Sequence, residues 1–488
     1  MTPLADATRW IDATGQAEMV RSGEVQPREL VAAAIERIEA LNPALNAVVT
    51  TTFEKALAAA ESPDLPEGPF RGVPFTIKDL WAMSAGDRTT NGIRALAAAG
   101  FVAPQDTTLV ARYRRAGLVI VGRTNTPELG ILPTTEPMAF GPTRNPWDLD
   151  RSPGGSSGGS ASAVASGMVP ASHASDGGGS IRIPASCCGL VGLKVSQGRI
   201  SLGPFRSETA LGVEHVVTRT VRDAAGLLDA THGPAVGDTI IAPPPVRPYL
   251  DEVGAPPGSL RIGFLLRSRR CATNAECQEA VLGAARLLAS LGHHVEESEP
   301  AALQDESQVD AFGALWAAQT RAGVLTAGRW LGRSLGADDV EPLTWALAER
   351  AKSLTADAYV AAQAAIAQYR RGVHQWWADG WDLLLTPTVA DLPPLLGEMA
   401  QNPDDPFAPF ARAGEFAAFT PAFNTTGQPA ISLPTHWSET GLPVGIQLVA
   451  GYGREDVLVR VAAQLEAELR WHERRPALDP LQFEAAGS

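Results

Sequence analysis

After Pro27, apolar residues recur at helical spacing: Leu30, Ala34, Ile38 and Leu41 share one face before Asn42-Pro43 closes the run. A second helical run passes through Phe53-Glu54-Lys55-Ala56-Leu57, so residues 1–70 read as an N-terminal helical part devoted to packing. A Pro/Gly/Ser-rich connection over 62–72 ends it, and the period then changes. Val73-Pro74-Phe75-Thr76-Ile77-Lys78-Asp79-Leu80 is a short apolar run, which predicts a strand delivering a lysine and an aspartate at its end. A helix ends at Arg112 to Ala116, and Gly117-Leu118-Val119-Ile120-Val121-Gly122, β-branched and bounded by glycine, predicts a buried strand. From Asn125 and Glu128 to Asn145-Pro146-Trp147 the chain is polar and Pro-rich, a candidate cleft wall that carries the apolar Ile131, Leu132 and Phe140.

Farther on, 260–266 and 381–385 predict strands, and 276–291 predicts a helix with Gly292 as its C-terminal cap. Two more strands over 428–434 and 443–449 precede an amphipathic helix over 454–471. That alternation predicts an α/β fold built on a layered sheet. Residues 301–380 read as a helical insertion holding Trp316, Trp330, Trp345, Trp376 and Trp377, expected in packing between helices, with an aromatic pocket as the alternative for some. No internal repeat is visible, and 1–488 is expected to form a single domain with its catalytic core in 73–200.

Composition narrows the function. With 45% hydrophobic and 19% charged residues in 488, the chain can bury a large core. A net charge of −14 and the lack of a long Lys/Arg run argue against nucleic acid as a partner. The N-terminus has no basic segment ahead of an apolar core, and no run approaches the roughly 20 apolar residues of a membrane span. The expectation is a soluble cytoplasmic protein with no membrane partner. Cys187 and Cys188 are adjacent, and Cys271 and Cys277 lie far downstream, a poor disulfide framework. No Cys-x-x-Cys or His-Glu-x-x-His spacing occurs, His293-His294 reads as a solvated helix exit, and neither metal nor cofactor is expected.

The chemistry concentrates in 152–184, where Gly154-Gly155-Ser156-Ser157-Gly158-Gly159-Ser160 and Asp176-Gly177-Gly178-Gly179-Ser180 flank a run of small apolar residues. Alone, the first cluster would be a flexible linker. It runs instead into Ala161-Ser162-Ala163-Val164-Ala165, which suits a helix packed closely on a sheet. Three glycines before Ser180 let successive N–H groups of Gly177, Gly178, Gly179 and Ser180 converge, a candidate oxyanion hole beside a candidate nucleophile. His173 lacks an obvious orienting Asp, so the base falls to Lys78, which is more often a strand end reaching for solvent but acts as a base if burial keeps it neutral. Ser156 could carry the proton between them.

These residues resemble the amidase signature family, whose members place a lysine after G-V-P-x-x-x-K-D, a serine in G-G-S-S-G-G and a nucleophile in D-x-G-G-S-x-R-x-P. The matches are Gly72 to Asp79, Gly154 to Gly159 and Asp176 to Pro184, with further similarity at 122–128, 188–194 and 423–430. Within the family the chain is similar to bacterial hydrolases of cyclic nylon dimers and related xenobiotic amides. The resemblance implies a central, mixed, twisted β-sheet flanked by helices, a Ser180–Ser156–Lys78 triad with a cis peptide at Gly155-Ser156, backbone amides of 177–179 as oxyanion hole, and no cofactor. Asp176 and Arg182 are expected to brace the glycine loop. Ile131, Leu132, Phe140 and Trp316 are expected in the substrate pocket. Gly177 stands where many members carry a bulkier residue, and Val195-Ser196 where Pro-Thr is common.

The expected activity is hydrolysis of small, fairly apolar linear, cyclic or aryl amides, with carbamates and esters as alternatives on the same triad. Two other enzyme classes share part of the pattern, and a binding protein that keeps only the fold would not need the intact Lys78, Ser156 and Ser180. Gly155-Ser156-Ser157-Gly158-Gly159 fits the G-x-S-x-G elbow of an esterase, which would need a preceding strand and a late histidine, His436 or His472. A glutaminase-type subunit of a transfer-RNA amidotransferase is the other, against which the acidic balance and the Trp-rich insertion speak. Homodimer formation is left open.

Overall fold

The computed structural model describes residues 1–206, 211–305 and 307–478. Among them, eleven strands make one sheet: β1 (Val48–Thr51), β2 (Pro74–Lys78), β3 (Val119–Thr124), β4 (Ala171–Asp176), β5 (Val191–Lys194), β6 (Val213–Thr218), β7 (Arg261–Phe264), β8 (His294–Glu297), β9 (Leu383–Pro387), β10 (Ala430–Trp437) and β11 (Pro443–Ala450). Their order is β1-β3-β2-β4-β6-β5-β10-β11-β9-β7-β8. The neighbours β3/β2, β2/β4, β9/β7 and β7/β8 are parallel, and the other pairs antiparallel, so the sheet is mixed as expected.

Both faces of the sheet are covered. Along β3, Leu118 and Ile120 enter one apolar cluster, with Phe75, Ile77, Leu193 and Leu433, while Val119 and Val121 enter the other, with Ala161, Val164, Val217 and Ile183. This is the two-residue period of a strand buried on both sides. The helix Gly158–Ala165 is buried throughout, which only small side chains allow. Its serines meet their hydrogen-bonding needs on neighbouring segments: Ser160 Oγ donates to His173 O at 2.7 Å, and Ser162 Oγ to Arg144 O at 2.9 Å.

The segment 301–380 contributes the helices Ser307–Leu331, Pro342–Arg350 and Ala356–Ala378. Trp330 stacks on Phe101 at 4.9 Å, and Trp376 contacts Trp377 and stacks on Trp381, so those rings pack between elements. No helix among the described residues is long and apolar enough to cross a membrane.

Three local expectations are corrected. Pro43 does not close its helix, which runs over Pro27–Leu45 and ends at Asn46 in the left-handed region; Pro43 forgoes the bond an N–H would make to Glu39 O, and the end is closed by Asn46 N donating to Asn42 O at 2.7 Å. Residues 48–51 form β1, because the Asn42 side chain accepts the N–H groups of Ala47 and Val48 and turns the chain onto β3. His293 is buried and not solvated: its Nδ1 accepts from Leu260 N at 3.2 Å and its Nε2 lies 3.0 Å from Gln464 Oε1.

Candidate active site

Lys78 is the last residue of β2, a strand buried at all five positions. Because β2 and β4 are parallel, with Phe75 opposite Ala171 and Thr76 opposite Ser172, Lys78 and Asp176 leave the sheet at the same edge. The next residue, Asp79, anchors that end: its carboxylate pairs with buried Arg123 at 2.8 Å and accepts from Thr90 N at 3.0 Å. Lys78 Nζ, wholly out of solvent, lies 2.7 Å from Ser156 Oγ, 2.9 Å from Ser157 Oγ and 3.0 Å from Ser175 Oγ. Burial lowers its pKa to about 7, against the opposing influence of the Asp176 and Glu214 carboxylates. The Gly155-Ser156 peptide is cis. Gly130 has φ 69°, and a Cβ on it would stand 3.0 Å from Ser156 Oγ, so the loop before the serine cluster leaves no room for a side chain beside that hydroxyl.

The glycine loop is braced from below. Arg182 and Asp176 are fully buried and pair through two bonds of 2.9 Å, Nε to Oδ2 and Nη2 to Oδ1. Asp176 also accepts from Gly179 N at 2.7 Å and Ile181 N at 3.2 Å, and Arg182 together with Lys194 holds its carboxyl far below the usual range. One expectation is thereby corrected: Gly179 spends its N–H on Asp176. The N–H groups of Gly177, Gly178 and Ser180 have no hydrogen-bond partner among the described residues. Gly179 has another task, since at φ 134° a Cβ would come within 2.3 Å of Thr420 Oγ1. That hydroxyl donates to Gly178 O at 2.7 Å.

Ser180, 8% exposed, and Ser156, 2% exposed, line one cavity of about 240 Å³, and Ser180 also opens on a second of about 250 Å³. Ile131 and Trp316 line both, and Leu132 lines the second. Phe140 lines neither: it sits in the turn Pro137 to Gly141, where the carbonyls of Phe140 and Gly141 accept from the Asn46 side chain at the end of the first long helix. Ser156 does not follow a strand, His436 pairs with Glu276 at 2.8 Å, and His472 is exposed, so the esterase elbow finds no histidine here.

Sequence reasoning missed Ser157 and Ser175, which share the lysine, and Thr420, Asn424 and Gln447, which hold the brace. Asn424 Nδ2 donates to Asp176 O at 2.8 Å, and Arg182 Nη1 donates to Gln447 Oε1 at 2.6 Å. Asn424 lay within the conspicuous 423–430 stretch, while Gln447 carried no signal beyond being polar in an apolar strand.

A family model for amidases matches residues 29–459. The 6-aminohexanoate-cyclic-dimer hydrolase of Paenarthrobacter ureafaciens is 46% identical over 480 residues, 96% of this chain and 97% of that protein. A solved structure of a 6-aminohexanoate cyclic dimer hydrolase matches with a TM-score of 0.93 at 44% identity, covering 96% of this chain and 99% of that one. A bacterial aryl acylamidase belonging to the amidase signature enzymes matches with a TM-score of 0.83 at 29% identity, covering 95% and 98%.

Proposed function

The chain belongs to the amidase signature family and is an amide-hydrolysing enzyme acting on non-peptide C–N bonds; from that premise we propose that its substrates are small, fairly apolar linear, cyclic or aryl amides, cleaved through an ester on Ser180. The observation that carries this reading is the fully buried Lys78 amine, with its lowered pKa, 2.7 Å from Ser156 Oγ at the mouth of the cavity that holds Ser180. Neutral Lys78 takes the Ser156 hydroxyl proton as Ser156 takes that of Ser180. The Ser180 oxygen bonds to the amide carbon, and the carbonyl electron pair moves onto oxygen, where the N–H groups of Gly177, Gly178 and Ser180 meet it. When the pair returns, the C–N bond breaks, and the relay hands its proton to the leaving nitrogen. Water then attacks the ester over the same relay, releasing the acid and restoring the Ser180 hydroxyl.

Carbamates and esters pass through the same tetrahedral centre and are proposed as further substrates. A panel of linear amides, cyclic amides, anilides, carbamates, esters and glutamine, read by mass spectrometry with Ser180→Ala as blank, tests the reading. Anilide hydrolysis should fall on the order of 10⁴-fold or more in the variant. Unchanged hydrolysis would overturn the role of Ser180, and ammonia release from glutamine alone would overturn the substrate class.

A further inference from the structure

Two chambers meet at Ser180, and they differ in what they contain. One is lined by Leu132, Ile183, Phe312 and Phe410, with Arg270, Asp310 and Arg350 also on its walls, and touches the glycine loop at Gly178. The other holds Ser156 and Ser175, touches the loop at Gly177, and mixes Leu80, Trp81 and Phe205 with Gln319, Thr320 and Thr326 on its walls. Gly130, Ile131, Ser180 and Trp316 belong to both. Trp316 lies on the glycine loop itself. A Cβ on Gly177 would stand 3.4 Å from its Cζ3, and one on Gly178 would stand 3.8 Å from its Cη2. Phe312 stacks against the ring, with centroids 5.2 Å apart and planes 23° apart. A bulkier residue at 177 would contest that position, so the glycine and the indole act as a pair.

A tetrahedral carbon on Ser180 must send its acyl substituent and its leaving nitrogen in different directions. The nitrogen has to receive a proton from Ser156, and Ser156 lines only one of the two chambers. On the basis of the acyl-enzyme reading above, we infer that the chamber containing Ser156 takes the amine half of the substrate, that the chamber without it takes the acyl half, and that Trp316 is the specificity-determining wall between them. Water for the second step enters through the amine chamber once the amine has gone.

The test uses two substrate series on the full-length enzyme, one with 4-nitroaniline as constant amine and acyl groups from acetyl to octanoyl, the other with constant hexanoyl and amines from ammonia to benzylamine. Gly414 and Gly313 line the acyl chamber on different helices, and a Cβ on either would meet nothing within 4 Å. Gly414→Leu or Gly313→Leu should lower kcat/KM at least tenfold for octanoyl relative to acetyl, leaving the ranking of amines unaltered. Gln319→Phe or Thr326→Phe should do the reverse, lowering benzylamine relative to ammonia. Trp316→Ala should weaken discrimination in both series. A crossed pattern, or equal effects of every variant on both series, overturns the assignment. Hydrolysis that survives Ser180→Ala would instead undo the acyl-enzyme reading, so the two failures are distinguishable. Two variants per chamber, each checked by circular dichroism, keep the comparison decisive if one does not fold.

Discussion

At the scale of the residue, the hydroxyls around Lys78 accommodate the neutral amine that its lowered pKa favours. A neutral amine has two N–H donors and one lone pair, an ammonium three donors and none. Ser157 Oγ lies 3.2 Å from Ser175 O, to which it donates, so toward Lys78 it accepts, and Ser175 can accept as well. That leaves the lone pair for the Ser156 hydroxyl, the proton a base must take. Because the neutral form works, activity should rise with pH through an apparent pKa near 7, well below the roughly 10.4 of a free lysine. Lys78→Met should flatten that limb and lower kcat by about 10²–10⁴. A limb that stays in place in Lys78→Met would assign it to another group. Asp176 answers to a different rule. It is buried with Arg182, so Asp176→Ala leaves a guanidinium unpaired in the interior and should cost about 3–5 kcal/mol, read as a loss of denaturant midpoint. A variant as stable as the wild type would mean that Asn424 and Gln447 satisfy Arg182 unaided.

At the scale of the element, the loop 128–131 links chemistry to scaffold. Glu128 Oε1 accepts from Glu341 N at 2.7 Å, fastening the loop to the start of the helix Pro342–Arg350, while Gly130 leaves no space for a side chain beside Ser156. Burial, and then the neighbouring Glu341 carboxyl, raises the Glu128 pKa; burial also raises that of Glu341, with Arg94 opposing. A folded-state pKa above the unfolded value means stability present in acid and lost as pH climbs from about 4.3 upward. Glu128→Gln keeps the acceptor and removes the titration, so its melting temperature relative to the wild type should rise steadily with pH; parallel curves would show that Glu128 does not titrate there. The sequence announced the chemistry of this region better than its geometry. Lys78 and the two serine clusters were legible because glycine runs and an apolar strand ending in lysine are local patterns. β1 was not, since four residues at the sheet edge become a strand only through Asn42 and β3. Phe140 misled because nothing in its neighbours tells where in the fold its turn lies. The brace was invisible for another reason: Arg182 reaches Gln447 across 265 residues, a meeting only the sheet order produces.

At the scale of the molecule, one sheet gathers the site from both of its halves. β2 and β4 bring Lys78 and Asp176, and β11, four positions beyond β4 in the sheet order, brings Gln447 beneath them. The sheet is buried on both faces by two extensive apolar clusters that run through its central strands. The helix Ser307–Leu331, which walls both cavities, and the helix Ala356–Ala378 packed against it are held differently. Ser307–Leu331 and Ala356–Ala378 meet through a small cluster of Leu211, Ala311, Leu315, Ala362 and Ile366, and the far end of the first rests on another around Ile93, Leu96 and Val340. Local opening is governed by the apolar contacts that must break, so these helices open at a lower free energy than the sheet. In hydrogen exchange, amides of these two helices should therefore exchange at least tenfold faster than those of β2, β4, β10 and β11, and mild urea should abolish activity on bulky amides while the strands stay protected. Exchange at one common rate would show that helices and sheet open only together. If the helices do open first, product leaves by the same movement that admits the next substrate, and variants that loosen the Phe312–Trp316 stack should speed release before they slow chemistry.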